Sequence, residues 1–262
     1  MSTYKVQESD YVIAQVDGKK RRLLTMEAFE RFNPPILGLG ELNSAAASTD
    51  AIAAVFDLGG FTNFCKQIEP HLSVPVFLNQ FLDWLMNQIR AEMVYKEYAD
   101  GVLLLGPLPF FVKFMGDGLL VLWDVSRPDE NARRNIIVTG REICLRYARD
   151  FCPLIAAKVT EAPSVLRCGL ARGTVYSVGN GNDFVGSCIN MAARIQKLPG
   201  TTFAFNRRGI NIDDPDADDF FKTHIAVKKM PVRGIGENEL VCVLKSEFEA
   251  MSAEEKNHYR DV

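Results

Sequence analysis

The chain has no uninterrupted apolar run of the ~18 residues or more that a membrane span needs. It also has no basic segment leading into a short apolar stretch of the kind that reads as a secretory leader. A cytoplasmic protein that does not engage a membrane is expected. A basic surplus is missing too: 30 Lys and Arg against 33 Asp and Glu leave a net charge of −3, so nucleic acid is not an expected partner. There are no repeats or low-complexity tracts, and no Pro/Gly/Ser linker breaks residues 51–245. Cys65, Cys144, Cys152, Cys168, Cys188 and Cys242 form no CxxC pair or other metal-ligand spacing and lie mostly in apolar stretches. They read as reduced, mostly buried thiols. Histidine is scarce, with His71, His224 and His258 scattered along the chain.

Against these absences stand 262 residues that are 47% hydrophobic and 24% charged, an ordinary composition for a globular protein with a sizeable core. Residues 1–50 read as an N-terminal extension in which DYVIAQVDG is a strand, TMEAFERF a short helix ended by Asn33-Pro34-Pro35, and NSAAASTD a connector. AIAAVFDL, residues 51–58, is a continuous apolar run of strand length, as buried central strands are. A helix is expected next, with Ser73 as N-cap, Pro75 in its first turn and Phe77, Phe81, Trp84, Leu85 and Ile89 on a buried stripe. FFVKFM and LLVLWD flank Gly116-Asp117-Gly118 as a hairpin with Asp117 at the tip.

Residues 128–158 read as a long helix that buries Ile136, Ile137, Ile143, Cys144 and Tyr147 and leaves Arg133, Arg134, Arg141, Arg146 and Arg149 on a solvated face. VLRCGLARGTVYSVG reads as a hairpin, GSCINMAARIQKL as a helix, DDPDADDF as an acidic loop and HIAVKKMPVRGIGENELVCVL as a closing hairpin. This mixture, without regular βα alternation, predicts one α+β domain.

Two aspartates then draw attention. Asp57 and Asp117 each end an apolar run and precede turn residues. Either alone is an ordinary turn aspartate, but a pair of carboxylates held at strand ends suits a hard divalent cation whose remaining ligands are water and phosphate oxygens. Downstream, Asn190 and Arg194 are four apart and project from one helix face, with Asp183 just upstream. A guanidinium suits a phosphoryl group whose charge grows during reaction, and a neighbouring carboxamide suits a sugar oxygen.

The ordered set FDLGGFT, KFMGDG, DFVGSCINMAAR and VRGIG resembles the catalytic domain of class III nucleotidyl cyclases, the adenylyl and guanylyl cyclases, over roughly residues 50–245. The resemblance implies an α+β catalytic domain at 51–245 with a mainly antiparallel central sheet flanked by helices, and a C-terminal tail at 246–262. It implies a head-to-tail homodimer with its active sites between the subunits. It further implies two divalent ions, Mn²⁺ or Mg²⁺, bound by Asp57 and Asp117. Lys113 and Asp183 would read the base, Asn190 would orient the ribose and Arg194 would stabilise the α-phosphate in the transition state. Arg233 stands where the family often has a triphosphate-binding lysine. The backbone of Gly59, Gly60, Phe61 and Thr62 would cradle the terminal phosphates. The three histidines lie outside these motifs, and this chemistry needs no protein general base.

Guanylyl members of the family usually place glutamate where Lys113 stands, so the resemblance implies that guanine is not the base, and a lysine donor beside an aspartate acceptor suits adenine, cytosine or uracil. A chain with only about 50 residues ahead of the catalytic segment resembles the bacterial pyrimidine cyclases of antiphage defence, and FDLGGFTNFCKQIEPHLSVPVFLNQFLDWL resembles the uridylate type. The expected product is cyclic UMP or cyclic CMP, read by a separate effector protein. An adenylyl cyclase and a catalytically silent nucleotide-binding regulator are the alternatives.

Overall fold

The computed structural model describes residues 4–213 and 219–262. Its contacts group the chain into two compact units: residues up to Ser48 with Tyr176–Val185, and Thr49–Val175 with Gly186–Val262.

In the smaller unit, strands β1 (Tyr11–Val16) and β2 (Lys19–Leu24) form an antiparallel hairpin. Asp17 and Gly18 both have positive φ, the backbone that a two-residue hairpin turn requires. The strand expected at DYVIAQVDG is β1, whereas β2, KKRRLL, has no apolar alternation to announce it. Helix α1 (Met26–Glu30) is capped by the Thr25 hydroxyl, which accepts from Ala28 N–H, and it ends before the two prolines as expected.

The larger unit begins with β3 (Ser48–Gly59), α2 (Phe61–Phe64) and α3 (Pro70–Glu92). Helix α3 starts earlier than expected. Pro70 fits the first helical position with its fixed φ, Pro75 lies inside the helix, and the Ser73 hydroxyl is buried without a partner instead of capping. The hairpin of β4 (Val94–Tyr98) and β5 (Gly101–Leu104) was not anticipated. Strands β6 (Phe111–Phe114) and β7 (Gly118–Asp124) form the expected hairpin around Asp117. Helix α4 (Glu130–Arg146) passes through a π-helical turn, Tyr147–Phe151, into α5 (Cys152–Ala156).

A single 14-residue strand, β8 (Val165–Val178), replaces the hairpin expected there, and the chain turns only at Gly179 to pair β9 (Asp183–Val185) with the end of β8. Then come α6 (Ser187–Ile195), β10 (Phe203–Asn206), α7 (Asp219–His224), the hairpin of β11 (Ile225–Val232) and β12 (Gly236–Leu244), α8 (Lys245–Ala250) and α9 (Ala253–Lys256). Of the acidic loop expected at 213–220, residues 214–218 lie outside the described residues.

The central sheet runs β11-β12-β10-β8-β3-β7-β6, antiparallel at β11/β12, β12/β10, β3/β7 and β7/β6 and parallel at β10/β8. Alternation along each strand sorts its two faces. Ile52, Ala54, Phe56 and Leu58 of β3 and Leu166, Cys168 and Leu170 of β8 share a core with Phe77, Phe81, Leu85 and Ile89 of α3 and Ile136, Ile137 and Ile143 of α4. The α3 stripe is the one its spacing predicts, and full burial of each such side chain contributes about 1.5–3 kcal/mol.

Arg134 departs from the solvated face expected of the arginine series. It is buried, and its guanidinium donates to the Asn211 carbonyl at 3.2 Å and to the Asn131 side chain. The six cysteines are free thiols, four of them buried, and burial pushes the Cys188 thiol up to about 11.

Helix α6 covers the opposite face of β8. An added Cβ at Gly169 would fall on the Ala192 carbonyl and 2.5 Å from Gln196 N, and one at Gly173 would come within 3.1 Å of the Cys188 Cβ. These two glycines let a helix backbone rest directly on the sheet, and their place inside β8 reflects close approach, not a turn.

Candidate functional site

Odd-numbered residues of β3 and β8 face the α6 side, so Asp57 and Arg167 project there, at the end of the sheet where β3 exits. Asp57 pairs in register with Gly118, and Leu58 N–H donates to the Asp117 carbonyl at 3.0 Å. This contact leaves no room for a side chain at position 118, where a Cβ would strike the Phe56 carbonyl and lie 3.1 Å from the Asp57 Cα. Gly116, at φ 99°, makes the turn that sets Asp117 beside Asp57. The two expected aspartates are thus neighbours.

Burial and then the Asp117 charge raise the pKa of Asp57, while Lys197 and Arg167 oppose the rise. Among the described residues, no group of three or more His, Cys, Asp or Glu side chains is placed to hold a metal ion. The site is therefore a carboxylate pair, which fits a Mg²⁺ or Mn²⁺ ion that shares its shell with water and phosphate.

Immediately after Asp57 the strand ends at Gly59. Gly60 turns with φ +85°, and α2 starts at Phe61 with no side-chain cap. The first N–H groups of this turn, those of Phe61 and Thr62, are the ones a helix cannot satisfy internally.

A second group forms on α6. Asn190 and Arg194 do share one face, and with Pro231, Val232 and Arg233 of the β11–β12 hairpin they line a cavity of about 400 Å³. Gly234, at φ +75°, brings that hairpin turn to Arg194: an added Cβ there would lie 3.8 Å from the guanidinium. Lys197, which the motif reading passed over, lines the same cavity. Its signal was its spacing, seven residues after Asn190 and three after Arg194, which continues the same helical face. No carboxylate lines the cavity among the described residues.

Lys113 lies on β6, opposite Leu120, at the other edge of the sheet from β11, and it is not part of this cavity. Asp183 opens β9 in the smaller unit, where its carboxylate accepts from Phe184 N–H at 2.9 Å. Within the larger unit the expected site residues therefore form one acidic pair and one cationic cavity, with Lys113 elsewhere on the sheet. No helix among the described residues is long and apolar enough to cross a membrane.

No protein-family model matches the sequence, and no curated protein matches it. Among solved structures, the fold is similar to that of the guanylyl cyclase Cya2, with 17% identity and a TM-score of 0.56 over 77% of this chain and 94% of that one. It is also similar to the catalytic core of a rhodopsin-guanylyl cyclase with converted specificity, in complex with ATPαS, with 17% identity and a TM-score of 0.50 over 77% of this chain and 98% of that one. The α+β architecture, a central sheet flanked by helices, is that of cyclase catalytic domains.

Proposed function

We propose that this chain, folded like those cyclase domains, is itself a nucleotidyl cyclase that converts a nucleoside triphosphate to the 3′,5′-cyclic nucleotide and pyrophosphate. One observation carries the reading: the Asn190–Arg194 face meets Arg233 in a cavity lined by no carboxylate among the described residues, and the same sheet holds Asp57 beside Asp117. The catalytic segment is residues 51–245, with residues 1–50 as an extension and 246–262 as a tail.

In this reading Arg194 faces the α-phosphate, where negative charge builds as the ribose 3′-oxygen attacks and pyrophosphate departs, and its planar guanidinium follows that charge better than the ground state. Asn190 orients the ribose. Arg233 takes the triphosphate, its forked guanidinium reaching two oxygens at once. The uncapped backbone from Gly59 to Thr62 receives the terminal phosphates. Asp57 and Asp117 hold two divalent ions, Mn²⁺ or Mg²⁺, which when bound supply activation of the 3′-hydroxyl and neutralisation of phosphate charge.

The active form is a head-to-tail homodimer in which the acidic pair of one subunit works with the base, ribose and phosphate residues of the other. Lys113 and Asp183 read an acceptor and donor pair on the base. The substrate is a pyrimidine nucleotide, UTP or CTP, and the product signals to a separate effector protein in bacterial antiphage defence. The protein works in the cytoplasm.

The test is incubation of the purified protein with ATP, GTP, CTP and UTP separately, each with Mn²⁺, and identification of the products by mass spectrometry. Cyclic UMP or cyclic CMP with pyrophosphate is expected. Cyclic AMP would replace the pyrimidine assignment with the adenylyl one, which the Lys113 and Asp183 pair also suits, and the absence of product from all four would leave a silent nucleotide binder.

A further inference from the structure

Lys197 extends the cavity in a direction the motifs do not. It follows the last turn of α6, where its own N–H donates to the Arg194 carbonyl at 3.1 Å and keeps the helical path beyond Ile195. Its ammonium group therefore stands one turn beyond Arg194 on the Asn190 face. The side chains of Arg194, Lys197 and Arg233 are exposed, and among the described residues none makes a hydrogen bond or an ion pair. Three cations around about 400 Å³, with no lining carboxylate among the described residues, repel one another. Structural ion pairing does not explain them, and a ligand with several negative charges does.

Lys197 also differs from its neighbours in chemistry. An ammonium on a flexible four-carbon stem is a compact point charge with three rotatable donors, suited to phosphate oxygens whose position shifts between bound states.

We propose that Lys197 is a polyphosphate-binding residue that contacts the triphosphate of the bound nucleotide and the pyrophosphate derived from it, as the third cation of the Arg194–Arg233 cavity. The assignment rests on the nucleoside triphosphate reading and adds to it a ligand contact from the end of α6. The contact is to the phosphate chain and not to the base or sugar, so inorganic triphosphate is a sufficient probe.

Binding of inorganic triphosphate, pyrophosphate and monophosphate to the full-length protein is measured by calorimetry in excess Mn²⁺, for the parent and for Lys197→Gln, Lys197→Arg and Arg233→Ala, with melting temperature as the control for folding. Loss of one charge-assisted contact predicts about tenfold or more weaker triphosphate binding by Lys197→Gln. The loss should be smaller for pyrophosphate and absent for monophosphate, with Lys197→Arg within a few-fold of the parent and all melting temperatures unchanged. If Lys197→Gln binds triphosphate like the parent while Arg233→Ala does not, the role of Lys197 is overturned and the nucleotide reading stands. If the parent binds no triphosphate and makes no cyclic product, both fall together.

Discussion

Neutralising Asp57 should move two observables in opposite directions. A carboxyl whose folded-state pKa is raised is worse off as an anion in the folded protein than in the unfolded chain, so at neutral pH its ionised form subtracts from stability. The causes at Asp57 are burial first and the Asp117 charge second, with Lys197 and Arg167 offsetting part of both. Because Asp57 is only half-buried, water screens the pair, and the relief on Asp57→Asn is about 1 kcal/mol, well short of the several kcal/mol of a fully buried charge. For a protein of this size that is a rise of about 2–4 °C in melting temperature.

The same substitution removes half of the anionic cation site. A divalent ion at ten times its dissociation constant adds about 1.4 kcal/mol to the parent, roughly 3–6 °C, and should add almost nothing to the variant. The assay is a thermal melt of both proteins at neutral pH, first in chelator and then in Mn²⁺, with cyclic nucleotide production measured alongside. The variant should melt above the parent in chelator and below or level with it in Mn²⁺, with turnover lost. A variant that melts below the parent in chelator, or a Mn²⁺ shift equal in both, would refute the electrostatic reasoning and the metal assignment respectively.

Arg194→Ala should lower kcat by about 10²–10³-fold with little change in KM, since its contact strengthens as charge develops on the α-phosphate; steady-state kinetics showing raised KM at constant kcat would assign it to ground-state binding instead. Gly169→Ala should cost about 1–3 kcal/mol by forcing a methyl group between β8 and α6, and, because α6 carries Asn190 and Arg194, denaturant melts and turnover should fall together. Parental values for both would show that the Gly169 contact does not position α6. Glu247, its pKa raised by burial against hydrogen bonds from Thr202, holds its proton more tightly in the folded state. The parent should therefore lose stability relative to Glu247→Gln as pH rises from about 4.3, the ordinary glutamate value, through the raised one, and parallel pH–melting curves for the two proteins would contradict that.

Elements buried on both faces or along a full stripe were the most legible in the sequence. The run AIAAVFDL and the Phe77–Phe81–Leu85–Ile89 spacing each contain their own partner logic, since apolar surface at period two or 3.6 has only one place to go. Strand β2 and the hairpin of β4 with β5 expose most of their side chains, so no burial pattern was written into them. Arg134 was misread for the converse reason. Its burial depends on the carbonyl of Asn211, 77 residues away, and no local pattern reveals a distant acceptor.

The candidate site divides along the same line. Asp57, Asp117, Asn190, Arg194 and Arg233 sit in recognisable strings, whereas Lys197 follows a helix end and becomes meaningful only when α6 is docked. That docking depends on two glycines of β8. Gly169 and Gly173 look like strand breakers in VLRCGLARGTVYSVG, yet side chains there would collide with the Ala192 carbonyl and with Cys188. Removing two side chains from a strand weakens its local signal and lets a helix backbone come within contact distance of the sheet. The close approach of α6 sets Asn190, Arg194 and Lys197 along one cavity.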